Sequence, residues 1–405
     1  MCQVFLAFVC IIGILAASSP VQHARGIRNF NTNQLIQVTG AHKFVSATAA
    51  DLRGPCPGLN ALANHNYISH DGVVSVLDAI LVSLDVFGFG PDTGVVAGIL
   101  SLYGANLPLL DFSIGNSPGG LRGILGIIFG KGGGLSGTHN QFESDSSATR
   151  CDLYEPGCPD NYTPLGDRFG ALINLLEQNP DPKANFDVII QHRVNTFHHS
   201  VQNNPFFFYG PVQMLVSCII HTLIPALMSN HSAEYPKGYL DVDGLSSLYG
   251  MNRGRDGQFR YTRNERIPEN WFGRPRDDPY VGLTYGLPDL LQMWTKYPET
   301  FIIGGNTGEV NSFTPLDITD FTHGVYSAES LLLGNNAACF AFQLVQILTP
   351  SILVNLEAIL AGLLADVAAV VGEQILALAC PTLEAMKLES LNQYPGYKKS
   401  AGYGM

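Results

Sequence analysis

Arg53-Gly54-Pro55-Cys56-Pro57-Gly58-Leu59-Asn60 sets a cysteine between two prolines. Pro55 and Pro57 each fix their own φ and lack an N–H, so the chain around Cys56 is stiff and poor in competing donors. The residues that follow, from Gly58 to His65, read as the first turns of a helix. A helix start presents unpaired N–H groups and partial positive charge, which stabilise a thiolate and tune it as a metal ligand. The layout suits an iron held by cysteine, haem iron included. Two other readings stand beside it: half of a disulfide, or a buried inert thiol.

Outward from this turn, 405 residues with 46% hydrophobic content are enough for a large core. Val4 to Ala17 is a short apolar run ending in small residues and Pro20. It is shorter than the ~20 residues a membrane span needs and has the form of a signal-peptide core. The expected organisation is a signal peptide over 1–18, an N-terminal arm over 19–50, one main domain over 51–386 and a C-terminal tail over 387–405. The destination is then extracellular. Lys and Arg number 22 against 34 Asp and Glu, and the basic residues form no cluster, which argues against nucleic acid and anionic membranes as partners. Asn161-Tyr162-Thr163 and Asn230-His231-Ser232 are glycosylation acceptors where exposed.

Apolar residues recur at helical spacing over 72–84, 164–178 and 186–201, and 212–228 is apolar throughout. A further helix is expected over 95–102, and the pattern is helical again over 337–386. The glycine-rich stretch 115–137 reads as a loop, and it lacks the Gly-Lys-Ser/Thr ending of a phosphate loop. The charged, Pro- and Gly-rich stretch 253–298 reads as surface. No long alternating run argues for a large sheet, so the expected fold is mainly α, a single multi-helix domain with little β.

Without Cys2 and Cys10 of the leading segment, six cysteines remain. Cys151 and Cys158 are close enough for a local disulfide, and Cys339 and Cys380 bracket a helix-like segment that a disulfide would staple. Cys56 and Cys218 have no obvious partner, and pairing with each other stays open. Glu143-Ser144-Asp145-Ser146-Ser147 is a cluster of hard oxygen donors suited to Mg²⁺ or Ca²⁺, or equally a loop or helix cap.

Arg53 to Asn60, with Asp71-Gly72-Val73 behind it, resembles the haem-binding entry of the fungal haem-thiolate peroxidases, the chloroperoxidase and unspecific peroxygenase family. The acidic serine loop with Thr149-Arg150, the segment Asn264-Glu265-Arg266-Ile267-Pro268, and the placement of Cys339 and Cys380 extend the likeness and favour the long branch. The resemblance implies haem b with Cys56, flanked by Pro55 and Pro57, as the iron ligand. It also implies Mg²⁺ held by Glu143, Ser144 and Ser147 beside a haem propionate. On the opposite face the long branch carries an arginine and, seven residues on, a glutamate that moves the peroxide proton. Arg193 takes the first place and Ser200 the second. A serine has the wrong pKa for that work, so the preceding His199 and His198 are the expected acid–base residues, His199 ahead. Phe206, Phe207, Phe208 and Tyr209 are core residues or the lining of an aromatic substrate channel.

The activity implied is H₂O₂-dependent oxygenation or oxidation of small apolar or aromatic compounds. Halide oxidation on the same haem is an alternative, as is a haem-binding protein with little turnover because the glutamate is absent.

Overall fold

The computed structural model describes residues 35–90, 93–94, 97, 111–118, 133–143, 145–179, 185–334, 336–337, 339–340, 343, 380–383 and 385–401. The leading apolar run, the helix expected over 95–102 apart from residue 97, and the whole of 344–379 lie outside these residues. Within them the fold is mainly helical with short strands.

The chain enters as an arm whose Ile36 N–H donates to the Trp271 carbonyl at 3.0 Å, and Ile36 is buried against α1 (Pro57–Asn64). Strand β1 (Val73–Ser75) precedes α2 (Val76–Phe87), so the helix expected from residue 72 starts later. Ser75 sets that start, because its hydroxyl accepts from the Asp78 N–H and caps the first turn. β1 pairs antiparallel with β2 (Asp111–Ser113), Val73 opposite Ser113. Helix α3 (Gly134–Phe142) occupies the end of the stretch read as a glycine loop.

Helices α4 (Gly166–Gln178) and α5 (Asn185–Asn203) fall close to where the apolar spacing puts them. β3 (Phe208–Tyr209) and α6 (Pro211–Leu227) follow, then α7 (Val242–Leu248) and the hairpin of β4 (Met251–Arg253) and β5 (Phe259–Tyr261). α8 (Leu287–Lys296), β6 (Gly304–Gly305), β7 (Thr314–Pro315), α9 (Ile318–Phe321) and α10 (Pro395–Ala401) complete the described elements. β6 lies between β3 and β7, all antiparallel.

Three apolar clusters hold these elements. One gathers α1 with Ile36, Val86, Phe112 and Trp271, a second α4 and α7 with Ile189 and Phe259, and the third Phe197, Phe207, Tyr209, Cys218, Met293 and Tyr394. Helix α5 contributes to two of them, so little of its circumference meets water, and its polar side chains His192, Arg193, Thr196 and Ser200 are buried as well. The stretch 253–298 is more than a surface wrap, since Glu265, Ile267, Trp271, Tyr280 and Met293 are all buried. The expected C-terminal tail packs on the body too, Tyr394 and Tyr397 lying against Phe208.

Two disulfides, Cys151–Cys158 and Cys339–Cys380, are formed. Cys56 and Cys218 are both free, which removes the reading that they pair with each other. Asn161 is buried, whereas Asn230 is half-buried with its amide donating to Asn270 and accepting from Phe272.

Candidate active site

Cys56 stands at the N-cap of α1, half-buried, with extended backbone angles that let the following proline begin the helix. The turn is braced from three directions. Asn60 accepts from the Gly54 N–H at 3.1 Å and returns its amide to the Gly54 carbonyl at 2.9 Å and to Glu265 Oε1 at 2.8 Å. Arg53 forks onto Asn64 Oδ1 at 2.9 and 2.8 Å and reaches the Leu52 and His70 carbonyls. Gly54 passes so close to the next strand that a Cβ there would lie 2.1 Å from the Ile114 carbonyl oxygen. The segment Asn264–Pro268 thus acts as a buttress: Glu265 also accepts from Tyr261, and its carbonyl accepts from Asn64.

Burial pushes the Cys56 thiol up, and the N–H groups of Leu59 and Gly58 together with the Arg150 charge work the other way. No short capping hydrogen bond closes on the sulfur. A free sulfur aimed along a helix N-terminus is therefore present, with a buried cation in the same neighbourhood. Arg150 gives Nε to the Tyr162 carbonyl at 3.0 Å and Nη1 to the Thr149 hydroxyl at 3.3 Å, while its buried Nη2 has no partner. A free sulfur at a helix start and an unmet buried donor for an acidic edge would fit a haem.

Glu143 follows α3 and is buried. Its Oε2 lies 2.7 Å from His139 Nε2 one turn back, and its Oε1 accepts from the Ser147 hydroxyl at 2.9 Å. Burial alone would raise this carboxyl, but His139, Arg150 and Ser147 prevail and hold it at about 2. Ser144 lies outside the described residues. With an imidazole on one carboxylate oxygen and a donated hydroxyl on the other, both oxygens of Glu143 have protein partners, and these contacts give no support to the Mg²⁺ expectation. Among the described residues one cluster brings three metal-type donors together, Cys151, Glu155 and Cys158, and its two sulfurs are bonded to each other.

Beyond Glu143 the loop turns through Ser146, at φ 59°, and buries Asp145 and Asp152. The Asn204 amide joins them, at 3.2 Å to Asp145 and 3.0 Å to Asp152. Desolvation pushes both carboxyls up, and the Asp152 charge raises Asp145 further. Ser200 belongs to this group: its hydroxyl donates to Asp152 Oδ1 at 3.0 Å and accepts from the Ser146 N–H at 3.0 Å.

The structure does not bring Arg193, His198, His199 and Ser200 to one point. The Arg193 guanidinium is fully buried and donates to Tyr209 Oη at 2.6 Å and to both the hydroxyl and the carbonyl of Thr300, with the Phe301 ring 4.7 Å beneath it. His198 is exposed. His199 points elsewhere, its Nε2 2.7 Å from Glu155, which also pairs with Arg168 at 2.6 Å. The physical reason is the helical period: 100° per residue carries positions 198 and 199 off the buried stripe of 193, 196 and 200. Phe207, Phe208 and Tyr209 are core, as the plainer of the two readings has it.

Two histidines not singled out in the sequence lie buried between α5 and α6. His192 Nε2 meets the Ala148 carbonyl at 2.7 Å, and His221 Nδ1 meets the Ser217 carbonyl at 2.7 Å. Burial pushes His192 down to about 4 and, with the Arg193 charge, His221 down to about 3, so both rings are neutral. The available signal was a single histidine inside an otherwise apolar helix, 212–228.

Residues 42–276 match the family described as Peroxidase, family 2. The chain is 38% identical over 376 residues to the dothistromin biosynthesis peroxidase dotB of Dothistroma septosporum, covering 90% of this chain and 87% of that one. It is 36% identical over 386 residues to the aromatic peroxidase fscJ of Fusarium equiseti, covering 91% and 86%. A more distant relative, the aromatic peroxygenase of Cyclocybe aegerita, is 28% identical over 275 residues, 68% of this chain and 66% of the relative.

Proposed function

This chain belongs to the fungal haem-thiolate peroxidases, oxidoreductases that act with peroxide, and from that premise we propose that it is a secreted peroxygenase or peroxidase whose haem iron is held by Cys56 and whose substrates are small aromatic or apolar molecules. The observation that carries the reading is the unpaired Cys56 sulfur in a braced turn at a helix start. Two disulfides support an oxidising destination. The names of the relatives from Fusarium equiseti and Cyclocybe aegerita support an aromatic substrate class.

Bound haem supplies the iron at which peroxide is split and the substrate oxidised, a thiolate ligand favouring O–O cleavage. The protein's share is local. Asn60, Arg53 and Glu265 hold the Cys56 turn, and with it the sulfur that would hold the haem iron, in place. The Leu59 and Gly58 N–H groups ease negative charge on that sulfur, as donors near a ligating thiolate do. Arg150, whose buried Nη2 has no partner, would offer that nitrogen to a haem carboxylate, whose burial would otherwise be costly.

The test is the ferrous–carbonyl spectrum of the purified, haem-loaded protein. A strongly red-shifted Soret band is expected, and Cys56→Ala should abolish it together with peroxide-dependent oxidation of an aromatic probe. A band in the position given by histidine ligation would overturn the assignment.

A further inference from the structure

We propose that His221 is the catalytic acid–base residue that moves the peroxide proton, an inference that rests on the haem-thiolate reading above. Its ring sits on the buried face of α6 with Met214, Ser217 and Cys218. Nδ1 is engaged by the Ser217 carbonyl, so the N–H lies there and Nε2 carries the lone pair. That Nε2 is buried and has no partner. An unmet buried polar atom is destabilising, and a protein retains one where a ligand will use it.

The α5 residues that the sequence offered for this work are committed or in solvent. Ser200 donates to Asp152, His199 pairs with Glu155, and His198 is in solvent. Arg193 is a permanent cation turned onto Thr300 and Tyr209. His192 also has an unpartnered buried nitrogen, Nδ1, and its ring centroid is 6.3 Å from that of His221. The charged neighbours separate the two. His192 feels Arg168, on the α4 side, whereas His221 feels Arg193 and Glu143, and Glu143 acts on Cys56 as well. His221 therefore shares its electrostatic surroundings with the thiolate.

In the step assigned to it, Nε2 accepts the proton from one oxygen of H₂O₂. The imidazolium then returns that proton to the second oxygen, which departs as water with the electron pair of the broken O–O bond. The bound haem would supply the two electrons and take up the first oxygen. Burial, helped by the Arg193 charge, keeps the resting imidazole unprotonated, as a base must be.

Cyanide binding to the ferric, haem-loaded protein tests this without turnover, because HCN must lose its proton to bind as the anion. His221→Ala and His221→Gln, the second keeping most of the volume and a donor for the Ser217 carbonyl, should each slow cyanide association and the reaction with H₂O₂ on the order of 100-fold. The ferrous–carbonyl band should not move. His221→Glu should recover at least about 10-fold of the loss, since a carboxylate is also a competent base. An unchanged cyanide association rate in either His221→Ala or His221→Gln with a normal carbonyl band overturns the assignment. Failure of the haem-thiolate reading would look different, as a carbonyl band without the red shift in the unsubstituted protein.

Discussion

The turn around Cys56 and the interior between α5 and α6 handle their polar groups in opposite ways. At the turn, every nitrogen of the Arg53 fork and both ends of the Asn60 amide have partners, and of the three bracing side chains only Glu265 leaves a buried atom, Oε2, without one. Between the helices, His192 Nδ1, His221 Nε2 and Arg193 Nε are buried without any. A saturated network is rigid, because breaking any member leaves its partner unpaired in a low-dielectric place. An unsaturated one is ready for something that arrives later. On the reading proposed above, the first region positions a ligand atom and the second receives a reactant.

Three measurements would break or sharpen this contrast. The largest effect is expected at Gly54, where a Cβ would meet the Ile114 oxygen at 2.1 Å, the Ser136 hydroxyl at 2.8 Å and Gly115 Cα at 2.9 Å. Two of these are backbone and cannot yield, so Gly54→Ala should cost more than about 4 kcal/mol in chemical denaturation. A near-neutral result would mean that the turn is looser than its hydrogen bonds imply.

Acid should act on the other region. The folded pKa values of His192 and His221, about 4 and about 3, lie below the ordinary 6.5. Between those limits the unfolded chain binds protons that the folded chain refuses. Stability is therefore independent of these rings above about pH 6.5 and falls as pH drops below it. For His192 the difference from 6.5 to about 4 amounts to about 3 kcal/mol by pH 4. Denaturation midpoints between pH 7 and pH 4 should show this loss, and His192→Gln should flatten part of the curve. Identical slopes in the two proteins would mean that the His192 ring is not held neutral.

The smallest effect is expected at His199. Its side chain is 38% exposed, and Glu155 keeps Arg168 when the imidazole goes. His199→Ala should therefore lower stability by less than about 1 kcal/mol in urea. A large loss of reactivity toward H₂O₂ in this variant would move the proton-transfer role back to α5.

Legibility in the sequence followed the range of the interactions. Cys56, its prolines and α1 are contiguous, and the helices at 166–178, 185–203 and 211–227 announce themselves through apolar spacing. Glu143 and Ser147 are four residues apart and do meet, but the second partner of that carboxylate, His139, lies one turn back, just past the stretch read as a loop, and was not assigned to it. Asp145, Asp152 and Asn204 form one cluster from two separated segments, and nothing in either segment alone marks it. Residues 387–401 look like a tail because they are short and polar, yet Leu391 and Tyr394 complete the third core cluster.

The residues of the chain by themselves determined that a cysteine would be held stiffly at a helix start inside a mainly helical body, since proline geometry and helical periodicity act within a few residues. Which nitrogens stay unpaired in the interior was decided only by the tertiary structure. Hydrogen-bond saturation depends on which carbonyl or carboxylate another segment delivers, and α5 and α6 meet across a distance in sequence that no local pattern encodes. Hence the cysteine was legible before folding, and the role of His221 only after it.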